Sequence, residues 1–433
     1  MSTLHAATSV PHLTTALTGP LRLVESRILE NQSRIEAWFR EQWRSVNIPF
    51  YASVDIRNAG YKIAPVDTNL FPAGFNNLNP VFESLCIQAV QQAVERLAER
   101  VDRILIIPEN HTRNMYYLES LWSLQRMIEK AGFHVRIGSL IPDLEEKLTI
   151  DLPSGQSIVL EPVQKRDAHL VIDDFEAELV LLNNDLSGGI PDELKGLDQI
   201  LMPPLRMGWS SRLKSTHFKH YQEVAGDFAN MIDIDPWLID PMFRNCGEID
   251  FMKQEGSSCL TKNVETLLNR IRDKFSEYEV NCQPYVMMKA DSGTYGMGVM
   301  TIHSAGEVTE LNRKERTRMS TTKEGQKVTK VIIQEGVYTH ESWGSENSVA
   351  EPVVYMVDNK VVGGFYRVHT QRGRNENLNS PGMRFEPLAF DECCISPDAS
   401  MDPDAHPNRF YTYGVVARLA LLAAAREMME GQQ

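Results

Sequence analysis

The clearest candidate chemistry lies in one stretch, Tyr285-Val-Met-Met-Lys-Ala-Asp-Ser-Gly-Thr-Tyr-Gly-Met-Gly-Val-Met-Thr-Ile302. Gly293, Gly296 and Gly298, with Thr294 among them, interrupt two short apolar runs. The pattern reads as strand, glycine loop, strand. A backbone this poor in Cβ atoms can approach an anion closely and aim successive N–H groups at its oxygens. Lys289, at the end of the first run, adds an ammonium beside that loop. A glycine-rich hairpin with a solvated lysine would show the same pattern, so the reading depends on what surrounds it.

A second group of chemically able residues lies far upstream. Ser53 to Asn77 is dense in Asp, Asn, Arg and Gly, without clear periodicity. Long polar loops inside compact domains usually carry function. Asp55, Arg57, Lys62, Asp67, Asn69, Asn76 and Asn77 offer both charges and amides for gripping a zwitterion. Two further candidates stand between. Asn183 to Gly189 follows the apolar run Leu179–Leu182, and polar residues at a strand's C-terminal end are where open α/β sheets bind ligands. Met207 to Met231 holds a basic cluster, Arg212, Lys214, His217, Lys219 and His220, which reads as a solvated helix face in preference to a contact for an anionic substrate.

The elements that must position these groups follow from hydrophobic period. Leu21 to Val46 shows one helical stripe, and Val81 to Val101 an amphipathic helix. Arg103–Ile107, a helix over Asn114–Ala131 stopped by Gly132, and Phe133–Ile137 form a β-α-β unit, which requires a parallel sheet. Its first turn lacks G-x-G-x-x-G, which excludes the dinucleotide fingerprint. Strands are predicted at 157–160, 169–172, 179–182 and 199–202. Downstream come a helix over 263–278, the glycine loop, a polar stretch 311–330, and the apolar run Val331–Glu335. A hairpin over 353–368 turns at Asp358-Asn359, an Asn-rich turn closes on Gly382, and an apolar helix over 413–430 is expected to be buried. The expected organisation is α/β: a frayed segment 1–20, an N-terminal parallel-sheet domain 21–246, and a second domain 247–433.

Composition narrows the function. A 433-residue chain with 42% hydrophobic and 24% charged residues is long enough for two or three domains with a large core. Net charge of −14 speaks against non-specific nucleic-acid binding, so no nucleic-acid partner is expected. No apolar run is long enough to cross a bilayer, and no secretory leader is evident at the N-terminus, so no membrane partner is expected. Six scattered cysteines, including the neighbours Cys393 and Cys394, suit free thiols in a reducing cytoplasm. The absence of G-x-x-x-x-G-K-[ST] disfavours a P-loop kinase, and the eleven histidines lack metal-hydrolase spacing.

The order of lysine strand, glycine loop, strand, apolar-Gln-Glu strand, hairpin ending in Arg367 and Asn-rich turn resembles the ATP-grasp fold. The wording of Asn58 to Asn77, with Lys289 to Met300 and Asn183 to Gly189, resembles the proteobacterial-type glutamate–cysteine ligases. The resemblance implies that Lys289, Gly293, Thr294, Gly296 and Gly298 hold ATP phosphates, and that Gln334, Glu335 and Val337 hold adenine. It implies Arg367 as the cation facing the transferred phosphoryl, and Asn377 as a Mg²⁺ ligand. The acid that usually stands two residues before that asparagine is Asn375 here, so Glu351, Glu376 and Glu386 compete for the acidic ligand. Asp55, Arg57, Asn69, Asn76 and Asn77 become candidates for the amino-acid substrates. The implied reaction joins the γ-carboxylate of glutamate to cysteine through an acyl phosphate. Other ATP-grasp carboxylate–amine ligases, such as a glutathione synthetase, share these motifs, as would a non-catalytic nucleotide-binding module.

Overall fold

The computed structural model describes residues 13–14, 19–293, 298–321, 327–388 and 409–430. The parallel sheet expected upstream is present. Its order is Ile200–Met202, Leu179–Asn183, Arg103–Pro108, His134–Ser139, Ser157–Pro162, all parallel, with Leu148–Asp151 antiparallel at the edge. Helix Met115–Lys130 makes the first crossover. It starts where the Asn114 side chain accepts the Tyr117 N–H and ends just before Gly132, whose φ of 101° suits a helix stop. His169–Ile172 belongs to a separate three-stranded sheet with Gln164–Arg166 and Phe175–Glu176.

A second, antiparallel sheet is built around Ser348–Val357. This strand pairs along its length with Lys360–His369, and on its other side with Ser342–Trp343 and with Tyr51–Asn58. Ile63–Asn69 and Arg384–Pro387 extend the two sides, and Leu13–Thr14 pairs with Ser342–Trp343. Val54, Ile56, Val354 and Met356 are fully or almost fully buried, and helix Arg409–Glu430 packs on this sheet. The expectation of a buried C-terminal helix holds: Val415, Leu419, Leu422 and Ala423 are without exposure.

The third layer is a four-stranded antiparallel sheet in the order Phe243–Cys246, Val331–Glu335, Val286–Ala290, Val299–Ile302. Helix Ser257–Glu277 backs it with Leu260, Val264, Leu267, Leu268 and Ile271, an i, i+3/i+4 stripe.

Three expectations are corrected here. Ser53–Asn77 is not mainly loop: most of it is the hairpin Tyr51–Asn58 and Ile63–Asn69. The period of two is in the sequence, with Ala52, Val54 and Ile56 on one face and Ser53, Asp55 and Arg57 on the other. A register shift beside Asp55 and a proline at position 65 obscure it in the partner strand. The single helix over 21–46 is two, Pro20–Glu30 and Gln32–Trp43, broken at Asn31. The central sheet also takes strands from both sides of position 247, so the covalent order and the spatial layers do not coincide.

Candidate functional site

The antiparallel sheets face one another across a polar cavity. Its lining includes Asp55, Arg57, Asp67, Lys289, Gly293, Gln334, Glu335, Val337, Glu351, Arg367 and Asn377. Strand alternation explains the selection. Asp55 lies opposite Val353 and Asp67, and Arg367 opposite Glu351, so these side chains emerge on one face of the central sheet. Across the gap, Met287 and Lys289 lie opposite Gln334 and Ile332 on one face of the smaller sheet.

The central-sheet wall is a ladder of alternating charges. Glu351 accepts from Arg367 Nη1 at 2.6 Å and from Arg57 Nε at 3.1 Å, and Arg367 Nη1 also reaches Asp55 at 2.9 Å. Arg57 is further fixed by the carbonyls of Val337, at 3.1 Å, and Glu376, at 2.5 Å. Burial pushes the Asp55 carboxyl up, against the pull of Arg367. Arg367 is held strongly protonated: burial disfavours its charge, and Asp55 and Glu351 more than restore it. The Arg367 Nε finds no acceptor among the described residues although it is buried.

The opposite wall carries a cation with neutral partners. Lys289 Nζ donates to the Val66 carbonyl at 3.0 Å and to Gln334 Oε1 at 2.7 Å. Burial lowers its pKa, with Lys214 and Arg57 adding to the fall and Asp67 opposing it, to about 8. Gln334 is 1% exposed, and its amide Nε2 has no acceptor among the described residues. A buried donor left in this state costs about 1–3 kcal/mol unless something accepts from it. Glu335 lines the cavity, but its carboxylate is committed to Lys62 (2.6 Å), Trp237 Nε1 (2.9 Å) and the Met242 N–H (3.1 Å). Gly293 and Gly298 have φ of 95° and 66°, so the loop uses glycine where the left-handed region demands it. Thr294 and Gly296 lie outside the described residues, as do Cys393 and Cys394.

Several sequence candidates stand elsewhere. Asn69 does not face the cavity group: its side chain closes a local turn, accepting from Phe71 N at 2.9 Å and donating to Phe71 O at 3.3 Å. Asn76 and Asn77 lie in the turn Phe75–Asn77, which docks beside helix Met115–Lys130, where Gly74 N donates to Ser120 Oγ at 2.6 Å. The chain leaves the site after Asn69, so neighbours in sequence separate in space. Asn375 is not among the lining residues, whereas Asn377 is. Glu376 turns to Arg372 and the Gly373 N–H, and Glu386 pairs with Arg384. Of the competing acids, only Glu351 faces the cavity.

Two residues were left out of the expected site. Lys214 lines the cavity, pairs with Asp67 at 3.0 Å, and lies 3.9 Å from the centre of the Trp209 ring. The expectation of a solvated basic face holds only for Lys219: Arg212, Lys214, His217 and His220 are buried, with Arg212 on Glu427 and His220 on Glu430. Asp67 is pushed up by burial, but Lys214 and Lys289 outweigh this and hold it at about 2. Asp291, the second residue after Lys289, accepts from Ser215 N at 2.7 Å and Ser215 Oγ at 2.6 Å. Its carboxylate therefore caps helix Lys214–Ile232 and ties the glycine loop to the helix that presents Lys214. A capping acceptor from outside the helix leaves no local motif, so spacing could not have revealed it.

The arrangement is that of an α/β protein in which two antiparallel sheets enclose a charged cavity, a class suited to ligases. The glutamate-cysteine ligase family profile matches residues 25–428, nearly the whole chain. The chain belongs to the glutamate–cysteine ligase family, enzymes that use ATP to form γ-glutamylcysteine. A crystal structure from Methylobacillus flagellatus KT, given the provisional name gamma-glutamylcysteine synthetase, is 57% identical. It aligns over 98% of this chain and 99% of its own, with a TM-score of 0.90. Two more distant structures are a glutathione synthetase-like effector from Globodera pallida and D-alanyl-alanine synthetase A from Vibrio cholerae. Each is 11% identical with a TM-score of 0.34; they cover 85% and 74% of this chain, and each aligns over 81% of its own length. No curated protein matches the chain. No described helix is long and apolar enough to cross a membrane.

Proposed function

We propose that the cavity between the two antiparallel sheets is where the ligase reaction occurs, with ATP phosphates against Lys289 and the Gly293–Gly298 loop. The observation that carries this reading is the meeting of Lys289, Gly293, Arg367 and Asn377 on one cavity, from positions nearly 90 residues apart. Lys289 donates to neutral oxygens, and Gln334 keeps an amide donor buried beside it, so anionic and hydrogen-bond-accepting atoms of a nucleotide suit this wall. Gln334, Glu335 and Val337 form the strand end against which adenine is placed. Because its carboxylate is spent on Lys62 and its N–H on the Met242 carbonyl at 2.7 Å, Glu335 offers adenine its backbone carbonyl.

In the reaction, a γ-carboxylate oxygen of glutamate attacks the γ-phosphorus of ATP and ADP leaves. The cysteine amine then attacks the acyl carbon, phosphate departs, and the amine proton is lost. Positioning and cation stabilisation dominate such phosphoryl transfers, so no nucleophilic triad is required. Lys289 and Arg367 face the charge that develops on the transferred group. Asp55 and Arg57 supply opposite charges for an amino-acid substrate.

Mg²⁺ typically takes one or two carboxylates together with phosphate oxygens; Asn377 and Glu351 would hold it, Glu351 through lone pairs not used by Arg367 and Arg57. When bound, the ion supplies charge neutralisation on the phosphates. No described cluster of three or more His, Cys, Asp or Glu residues could hold a metal without such added oxygens. The scattered cysteines fit a cytoplasmic enzyme.

The test is product mass and ADP release from ATP, glutamate and cysteine. ADP release that does not require both amino acids overturns the substrate assignment and favours another carboxylate–amine ligase.

A further inference from the structure

Away from the cavity, two thiols lie against each other. Cys246 ends strand Phe243–Cys246, and its Sγ is 3.2 Å from the Sγ of Cys259, in the first turn of helix Ser257–Glu277. A covalent S–S bond is about 2.05 Å long, so closing it demands a shift of about 1 Å. Both sulfurs are already oriented. Asn263, one turn beyond Cys259, donates Nδ2 to Cys246 Sγ at 2.9 Å, and its Oδ1 is held by Arg244 Nε at 2.6 Å. Access is unequal: Cys259 is exposed and Cys246 buried. Burial also pushes the Cys246 thiol up to about 12, which makes it the slower nucleophile.

We infer that Cys246 and Cys259 form a thiol–disulfide modification site, converted to an intramolecular disulfide by low-molecular-weight disulfides. The exposed Cys259 thiolate attacks one sulfur of the reagent, forming a mixed disulfide and expelling one thiolate. Cys246 then gives up its proton and attacks Cys259 Sγ, expelling the second thiolate. The two cysteines are oxidised, the reagent is reduced to two thiols, and the two protons lost from the protein balance them. The bond closes the loop 246–259 and ties the helix to the edge strand of the sheet that bears Lys289. Cys246 lies opposite Val331, and Val331 opposite Ala290, the neighbour of Lys289. The site is thus two strands from the cavity lysine and independent of the catalytic reading above.

The experiment treats the folded, reduced protein with cystine and follows intact mass and peptide maps. The expected product has lost two hydrogens, carries a 246–259 crosslink, and reverts with dithiothreitol. Cys259→Ser, at an exposed position, keeps the fold and abolishes the crosslink. Cys246→Ser stops at one cysteinyl group on Cys259. A wild-type protein that stops at cysteinylated Cys259, that crosslinks between chains, or that reacts only at Cys282 or another cysteine overturns the inference.

Discussion

The two walls of the cavity handle charge differently. On the central-sheet wall, Arg57, Arg367, Asp55 and Glu351 neutralise one another within a buried ladder. On the facing wall, Lys289 is half-buried against neutral oxygens, and its main countercharge, Asp67, is already paired with Lys214. The first wall is set in place before any substrate arrives. The second holds positive potential that an anion can complete. The difference teaches that removing a charge from the ladder should damage folding as well as turnover, whereas removing Lys289 should damage turnover alone.

Glu351→Ala is the harshest test. It leaves two buried guanidiniums without their shared carboxylate, and breaking a buried pair costs about 3–5 kcal/mol. Denaturant unfolding should show that loss. A change below about 1 kcal/mol would mean the ladder is solvated after all. Lys289→Ala should behave in the opposite way. Turnover should fall about 10²–10³-fold, the usual range for one lost transition-state donor, while unfolding changes little. Near-normal rate at saturating ATP would remove Lys289 from the phosphate site.

The same contrast explains what the sequence disclosed. Most of the facing wall lies within 286–335 as a linear pattern of apolar runs and glycines around Lys289, so its strands and loop could be read directly, while its nucleotide role came from the family resemblance. The ladder is assembled from strands holding Asp55, Glu351 and Arg367, whose neighbourhood depends on sheet pairing. Asp55 and Arg57 were named for their charge; the reading of Arg367 and Glu351 needed family resemblance. Asn69, Asn76 and Asn77 were grouped with them by adjacency, although the hairpin ends at Asn69 and the chain turns toward Ser120. Lys214 was hidden because burial of a basic helix face requires carboxylates from elsewhere, here Asp67, Glu427 and Glu430. Most strands and helices of both halves were legible from periodicity; the layer order, with strand Tyr51–Asn58 inserted beside Ser348–Val357, was not.

Asp291 joins the two behaviours and should give an intermediate result. Asp291→Ala removes both acceptors at the start of helix Lys214–Ile232, a cap worth about 0.5–2 kcal/mol. It also frees the glycine loop from the helix bearing Lys214. Unfolding should show that small loss, and KM for ATP should rise more than KM for glutamate. Asp291→Asn, which retains an oxygen acceptor, should recover most of the ATP affinity. Equal rises in both constants would make Asp291 a cap and nothing more.

The gentlest perturbation is pH. Burial brings the Lys289 pKa down to about 8, against Asp67, while Asp67 itself stays ionised because its own value is about 2. The ammonium is present below about pH 8 and lost above it, so the facing wall gives up its unpaired charge there while Arg57 and Arg367 keep theirs. On this account kcat/KM for ATP falls about tenfold per pH unit on the alkaline side, since that ratio reports the free enzyme. Lys289→Arg keeps a charge that does not titrate in this range, so whatever activity it retains should run flat through pH 8. An alkaline fall of unchanged position in Lys289→Arg would assign the titration to another group and would make the two walls electrostatically alike.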